Sequence, residues 1–243
     1  MTASAVLATT VTGDGPRRAL LIHGLTSAGS TWWRTAEALA ADGYTVTAPD
    51  LRGHGSSPKV GSLSIESHRD DILALGGGWD LIIGHSLGGA VAAAVLAAEP
   101  AFAKRVILED PAIDSDVTDW FLEQSPPIVN PTVDLVAAEH PEWEPLDVEL
   151  KVEALLACGP GVVHQTMRDA SPWDLWPEII AFDLPALIIA ADPELGTLVS
   201  VEKAAQVDST RPVRVMRIDG AGHSMHRDAF DRFIDLVRAF GDM

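Results

Sequence analysis

Ser86 stands in Gly84-His85-Ser86-Leu87-Gly88, at the end of the apolar run Asp80–His85 and just ahead of an alanine-rich stretch that closes at Pro100. A serine hydroxyl is a weak nucleophile until a base takes its proton. Gly-x-Ser-x-Gly between a strand and a helix predicts a sharp turn that exposes the hydroxyl, with the amide of Leu87 aimed at the charge that develops on a substrate carbonyl. The expected base is His223, in the segment DGAGHSMH (Asp219 to His226) between the last strand-like run and the last helical pattern. His226 lies nearer that helix and reads as a surface or capping residue. A second amide for the oxyanion is expected from the loop HGLTSAGSTWW, at Leu25, with His23 bracing the loop. A further glycine-rich turn, DLRGHGSS (Asp50 to Ser57), carries Asp50, Arg52 and His54, read as a structural polar network at the rim.

These residues need elements that bring them to one edge. ALLIHG (Ala19 to Gly24), DLIIGH (Asp80 to His85), RVILED (Arg105 to Asp110) and PALIIAAD (Pro185 to Asp192) read as strands buried on both faces. YTVTAPD (Tyr44 to Asp50) and VRVMRIDG (Val213 to Gly220) are less uniform but strand-like. Helical patterns lie between them: TWWRTAEALAADG, the segment from Gly89 to Pro100, and a last helix with Phe230, Phe233, Ile234, Val237 and Phe240 along one face. The alternation predicts an α/β fold, a mostly parallel sheet with helices on both faces. Functional groups gather at the carboxyl edge of such a sheet, where both Ser86 and His223 fall. From Pro111 to about Asp183 the alternation stops. Prolines, short amphipathic pieces and Trp120, Trp143, Trp173 and Trp176 take its place, as expected of an insertion with its own helices or of a lid.

Composition narrows the partners. The chain has 243 residues, 47% of them hydrophobic, and carries a formal charge of −18 from 35 acids and 17 bases. Such a field disfavours nucleic acid and anionic membrane surfaces. No stretch approaches the roughly 18 apolar residues that span a bilayer, and the N-terminus lacks the pattern of a signal peptide. The single cysteine, Cys158, excludes an internal disulfide and fits a reducing cytoplasm. The eight histidines show no metal-ligand spacing, so no metal and no cofactor are expected.

HGLTSAGSTWW, DLRGHGSS, GHSLGG and GAGHS occur in the order and at the spacings of the α/β-hydrolase superfamily, which the chain resembles over nearly its whole length outside Pro111–Asp183. The resemblance implies an α/β-hydrolase core at 1–110 and 184–243 and a helical cap at 111–183. Most relatives carry the triad acid after the strand equivalent to PALIIAAD, where this chain reads AADPELGTLVS and no single alignment satisfies both the strand end and Val199. A minority carry it one strand earlier, which falls on Asp110 of VILEDPA. Asp110 is therefore the leading candidate, ahead of Asp192, with Glu194 and Glu109 behind; Glu109 reads as a strand-edge polar contact.

With Ser86, Asp110 and His223 as a triad and the Leu25 and Leu87 amides as the oxyanion hole, the expected reaction is hydrolysis of a carboxylic ester, lactone or amide of a small, largely apolar molecule. Trp32, Trp143 and Met225 are expected at the substrate pocket, and the assembly is expected to be a monomer or homodimer. The alternatives are cofactor-free perhydrolase or haloperoxidase chemistry, carbon–carbon bond hydrolysis on the same triad, and a hydrolase-like binding or receptor module that has lost turnover.

Overall fold

A computed structural model describes residues 4–59, 61–114, 130–170 and 172–241. Seven strands build one sheet: β1 (Thr9–Thr12), β2 (Arg17–Ile22), β3 (Tyr44–Pro49), β4 (Leu81–His85), β5 (Val106–Glu109), β6 (Ala186–Ala190) and β7 (Val213–Arg217). They lie in the order β1-β3-β2-β4-β5-β6-β7. β1 runs antiparallel to β3 and every other pairing is parallel. All six strands expected from the sequence form. The exposed edge strand β1, polar and only four residues long, carries no apolar run to mark it.

Strand alternation divides the core into two layers. Leu20, Ile22, Ile82, Val106, Leu108 and Ile188 face one side of the sheet, where α3 (Leu87–Ala98) packs. Leu21, Ile83, Ile107, Leu187 and Ile189 face the other, against α1 (Trp33–Ala41) and the terminal helix (Phe230–Gly241). On that terminal helix Phe233, Ile234, Val237 and Phe240 are buried, as its apolar stripe predicts. Alanines at Ala90, Ala92 and Ala93 are fully buried and let α3 lie close beneath the strands. α2 (Ile65–Leu73) packs on α3, its start capped by the Ser64 hydroxyl accepting from the Ser67 amide.

Between β5 and β6 the described residues form α4 (Val133–Glu139), α5 (Pro145–Cys158), α6 (Pro160–Ala170) and α7 (Trp176–Ile180). Val136, Trp143, Val148, Val152 and Leu155 bury against one another as a separate apolar cluster. Indole donors tie these helices to the sheet domain: Trp33 Nε1 to Asp147 at 2.8 Å, Trp143 Nε1 to Asp228 at 2.6 Å and Trp173 Nε1 to the Ala112 carbonyl at 2.9 Å. Trp120 lies outside the described residues. After β6 come α8 (Val201–Ala204), α9 (Met225–Asp228) and α10 (Phe230–Gly241). Among the described residues no helix is long and apolar enough to cross a membrane.

Candidate active site

β4 ends at His85, and Ser86 follows with φ 52° and ψ −118° before α3 begins. A non-glycine residue in that region stores strain that the surroundings must enforce. They do so by close packing. A Cβ at Gly88 would overlap the Ile22 carbonyl of β2, and one at Gly84 would overlap the Gly88 carbonyl, so the turn closes only with glycine at both places. The Ser86 amide donates to the Glu109 carbonyl at 3.0 Å, which ties the turn to the end of β5. The Ser86 carbonyl accepts from Gly89, Ala90 and Ala112 at 2.9, 3.1 and 3.0 Å, so the Leu87 amide stands outside that set at the helix start.

Asp110 comes immediately after β5, with φ 35° and no exposure. Its Oδ2 lies 2.7 Å from His223 Nδ1. The remaining lone pairs are taken by the Thr197 hydroxyl on Oδ1 at 2.6 Å and the Leu198 amide on Oδ2 at 3.1 Å, with the Ala191 amide more distant at 3.4 Å. Of the four candidate acids, this is the carboxylate that meets His223. Asp192 instead accepts from the Glu194 and Gly220 amides at 2.9 and 2.7 Å, shaping the chain that leads to His223, and Glu194 is exposed.

Glu109, one residue back, turns to the other histidine. Its carboxylate accepts from the His226 backbone amide at 2.8 Å, and both oxygens lie 2.9 Å from His226 Nδ1. His226 is thus buried, 3% exposed, rather than a surface residue. Burial pushes Glu109 up to about 8, and burial followed by the Arg227 charge holds His226 well below the usual histidine range. Burial thus favours the neutral form of both partners.

Several residues that the sequence did not single out hold the site. His85 Nε2 donates to the His223 carbonyl at 2.9 Å, and the two rings are 4.6 Å apart. Burial first, then the neighbouring His223, holds His85 well below its ordinary value, so it acts as a neutral brace. Its signal was its place before the serine. Thr197 had a signal too: it lies in the AADPELGTLVS segment, which accepts no single alignment with the usual acid position. That loop gives its donors to the acid of β5.

The loop after β2 is braced as expected. His23 Nδ1 meets the Gly24 carbonyl at 2.8 Å, its Nε2 accepts from the Leu51 amide at 2.9 Å, and burial lowers its pKa to about 3. Leu25 and Thr26 follow, the latter at φ 59°. Asp50 accepts from the Gly29 and Ser56 amides at 2.7 and 2.8 Å, Arg52 pairs with buried Asp71, and His54 Nδ1 meets the Arg52 carbonyl at 3.0 Å. Asp50, Arg52 and His54 thus form the structural network expected at the rim.

Two pocket expectations change. Met225 is fully buried among Phe233 and its neighbours, because the first residue of α9 points into the lower core rather than toward the mouth. Trp32 is 1% exposed and stacks on the His226 ring at 4.3 Å, so its indole fills the layer beneath the site. Trp143 packs in the helical segment with the Arg227 guanidinium 4.6 Å over its ring. Among the described residues His140, Glu142 and Asp228 bring possible ligand atoms within 4.8 Å of one another, but Asp228 already accepts from Trp143, and His140 stacks on the same indole at 3.8 Å. A cleft of about 220 Å³ lined by Arg17, Leu39 and Tyr44 opens at the amino end of β2 and β3, away from Ser86.

Residues 19–236 match the model of the alpha/beta hydrolase family. The chain is 40% identical over 107 residues to the lipase LipV of Mycobacterium tuberculosis, a match covering 42% of this chain and 40% of that protein's length. It is 26% identical over 240 residues to N-formylmaleamate deformylase of Pseudomonas putida, covering 92% of this chain and 87% of the relative. Among solved structures, E-2-(acetamidomethylene)succinate hydrolase superposes with a TM-score of 0.81 at 24% identity over 98% of both chains, a likeness of fold.

Proposed function

We propose, because this chain belongs to the alpha/beta hydrolase family, that it is a serine hydrolase acting on a carboxylic ester, lactone or amide through an acyl-enzyme on Ser86. The carrying observation is the 2.7 Å contact between His223 Nδ1 and the Asp110 carboxylate, which supports a ring orientation with Nε2 as the base. In the reading, His223 Nε2 takes the Ser86 proton as Oγ attacks the carbonyl carbon. The Leu25 and Leu87 amides receive the oxyanion, and His223 returns the proton to the leaving alkoxide or amine. Water then attacks the acyl-enzyme, giving its proton to His223, and the carboxylic acid departs with Ser86 restored.

Residues 111–183 act in this scheme as a cap over the site, supported by the indole bonds between that segment and the core, Trp143 to Asp228 and Trp33 to Asp147. The relatives' names support the same range of chemistry: one is a lipase, another a deformylase. Incubation with a fluorophosphonate and peptide mapping tests the reading. The adduct is expected on Ser86 and absent from Ser86→Ala, with p-nitrophenyl esters turned over by the wild type alone. No adduct and no turnover across esters, lactones and amides would overturn it.

A further inference from the structure

Lys151 of α5 reaches the loop after β2 and donates to both the carbonyl oxygen and the hydroxyl of Thr26, each at 2.9 Å. Thr26 directly follows Leu25. The next residue, Ser27, receives Arg227 Nη2 of α9 at 3.3 Å. Two cations thus flank the short stretch expected to hold the oxyanion. Among the described residues neither forms a direct ion pair with a carboxylate, although the chain carries 35 acids.

The acids nearby accept from other donors. Asp147, one turn before Lys151, accepts from Trp33 Nε1, while its second oxygen is buried without a partner. Asp228 accepts from Trp143 Nε1 and Glu109 from His226, and burial raises Asp147, Asp228 and Glu109. Burial, followed by the Arg227 charge, brings Lys151 down to about 7. An ammonium enclosed without an anion is costly, and it keeps a third N–H donor after serving Thr26.

We propose that Lys151, backed by Arg227, binds a carboxylate carried by the substrate, placed beside the carbonyl that Ser86 attacks. This rests on the serine hydrolase reading and replaces a largely apolar substrate with an anionic one. The carboxylate supplies the direct ion pair that Lys151 and Arg227 lack among the described residues. It also fixes the orientation of the acyl group, because the cation that holds it is bonded to the loop proposed to hold the oxyanion.

The test compares p-nitrophenyl hemisuccinate with the near-isosteric neutral 4-methylpentanoate ester. Wild type is expected to favour the anionic ester about tenfold or more in kcat/KM. Lys151→Met should bring that ratio close to one, chiefly through KM, while Lys151→Arg keeps part of it. In parallel, succinate quenching of tryptophan fluorescence is followed in Ser86→Ala with and without Lys151→Gln. Saturable quenching weakened about tenfold by Lys151→Gln is expected, with melting curves showing both variants folded. A wild-type ratio at or below one, with Ser86 still labelled by fluorophosphonate, overturns the anion site and leaves the hydrolase reading standing. Absent labelling with Lys151-dependent quenching does the reverse. Quenching that is absent, or indifferent to Lys151, overturns the anion site whatever the activity.

Discussion

Two carboxylate–histidine pairs lie side by side, built from adjacent acids and from histidines three residues apart. Asp110 with His223 and Glu109 with His226 have nearly the same contact length, 2.7 and 2.9 Å. Their surroundings separate them. Asp110 is met by a hydroxyl and the backbone amides of the loop after β6, and His223 keeps 17% of its side chain exposed. Among the described residues the Glu109 carboxylate accepts only from His226, whose ring packs against Trp32 and Phe233, and it is fully buried. One pair is fitted to hold an imidazolium at a surface. The other is fitted to remain neutral and fill space. Residue type does not distinguish them; donor count and access do.

Substitution of the acids should break the symmetry most sharply. Asp110→Asn is expected to lower kcat by about 10⁴-fold, since the wrong ring tautomer would face Ser86. The measurement is steady-state turnover of a p-nitrophenyl ester. Equal losses in Glu109→Gln would erase the proposed division. Thr197→Val removes the hydroxyl on Asp110 Oδ1, a bond to a charged group worth about 1.5–3 kcal/mol. A fall in kcat of about tenfold, with KM little changed, is expected and is read in the same assay. His85→Phe deletes the donor to the His223 carbonyl and should slow kcat by about threefold; a pH–rate profile unchanged from wild type would deny it a positioning role.

The smallest effect on rate, and a clear one on stability, belongs to Glu109. Its folded pKa of about 8 lies above the ordinary 4.5. Between those values the unfolded chain has released the proton and the native chain still holds it. Glu109 alone thus contributes stability that falls as pH rises from about 4.5 to about 8, against the opposite contribution of histidines buried below their ordinary value, such as His85 and His226. The slope is on the order of 1 kcal/mol per pH unit. Glu109→Gln should shift the pH dependence of stability in the positive direction by that amount in urea melts at pH 5, 6 and 7.5 while leaving turnover within about twofold. A slope of the same sign and size in the variant would mean that Glu109 is ionised in the fold.

The serine turn and the six strands β2 to β7 could be read from local pattern, because each rests on short-range rules: apolar runs, glycine at a tight turn and a helix start. The acid was narrower. Chain counting pointed to Asp110, but which acid meets His223 depended on where the loop between β6 and α8 folds back, and the Thr197 and Leu198 donors to Asp110 come from that loop. His226 read as a surface residue because nothing in SMH tells that Glu109, 117 residues earlier, waits beneath it. Met225 and Trp32 misled for a similar reason. An apolar residue beside a site is suited both to lining a pocket and to filling the layer under it, and only packing decides.

By itself, the sequence determined an α/β sheet of parallel buried strands and a strained nucleophile-type turn at Ser86. Strand period, glycine placement and turn chemistry are local and leave few alternatives. The tertiary structure decided which histidine meets which acid, which tryptophans are core, and that Lys151 and Arg227 converge on Thr26 and Ser27 with no direct carboxylate partner among the described residues. Those outcomes depend on segments brought together from distant parts of the chain, and on burial, which sets the charge of each group only after the neighbours are in place.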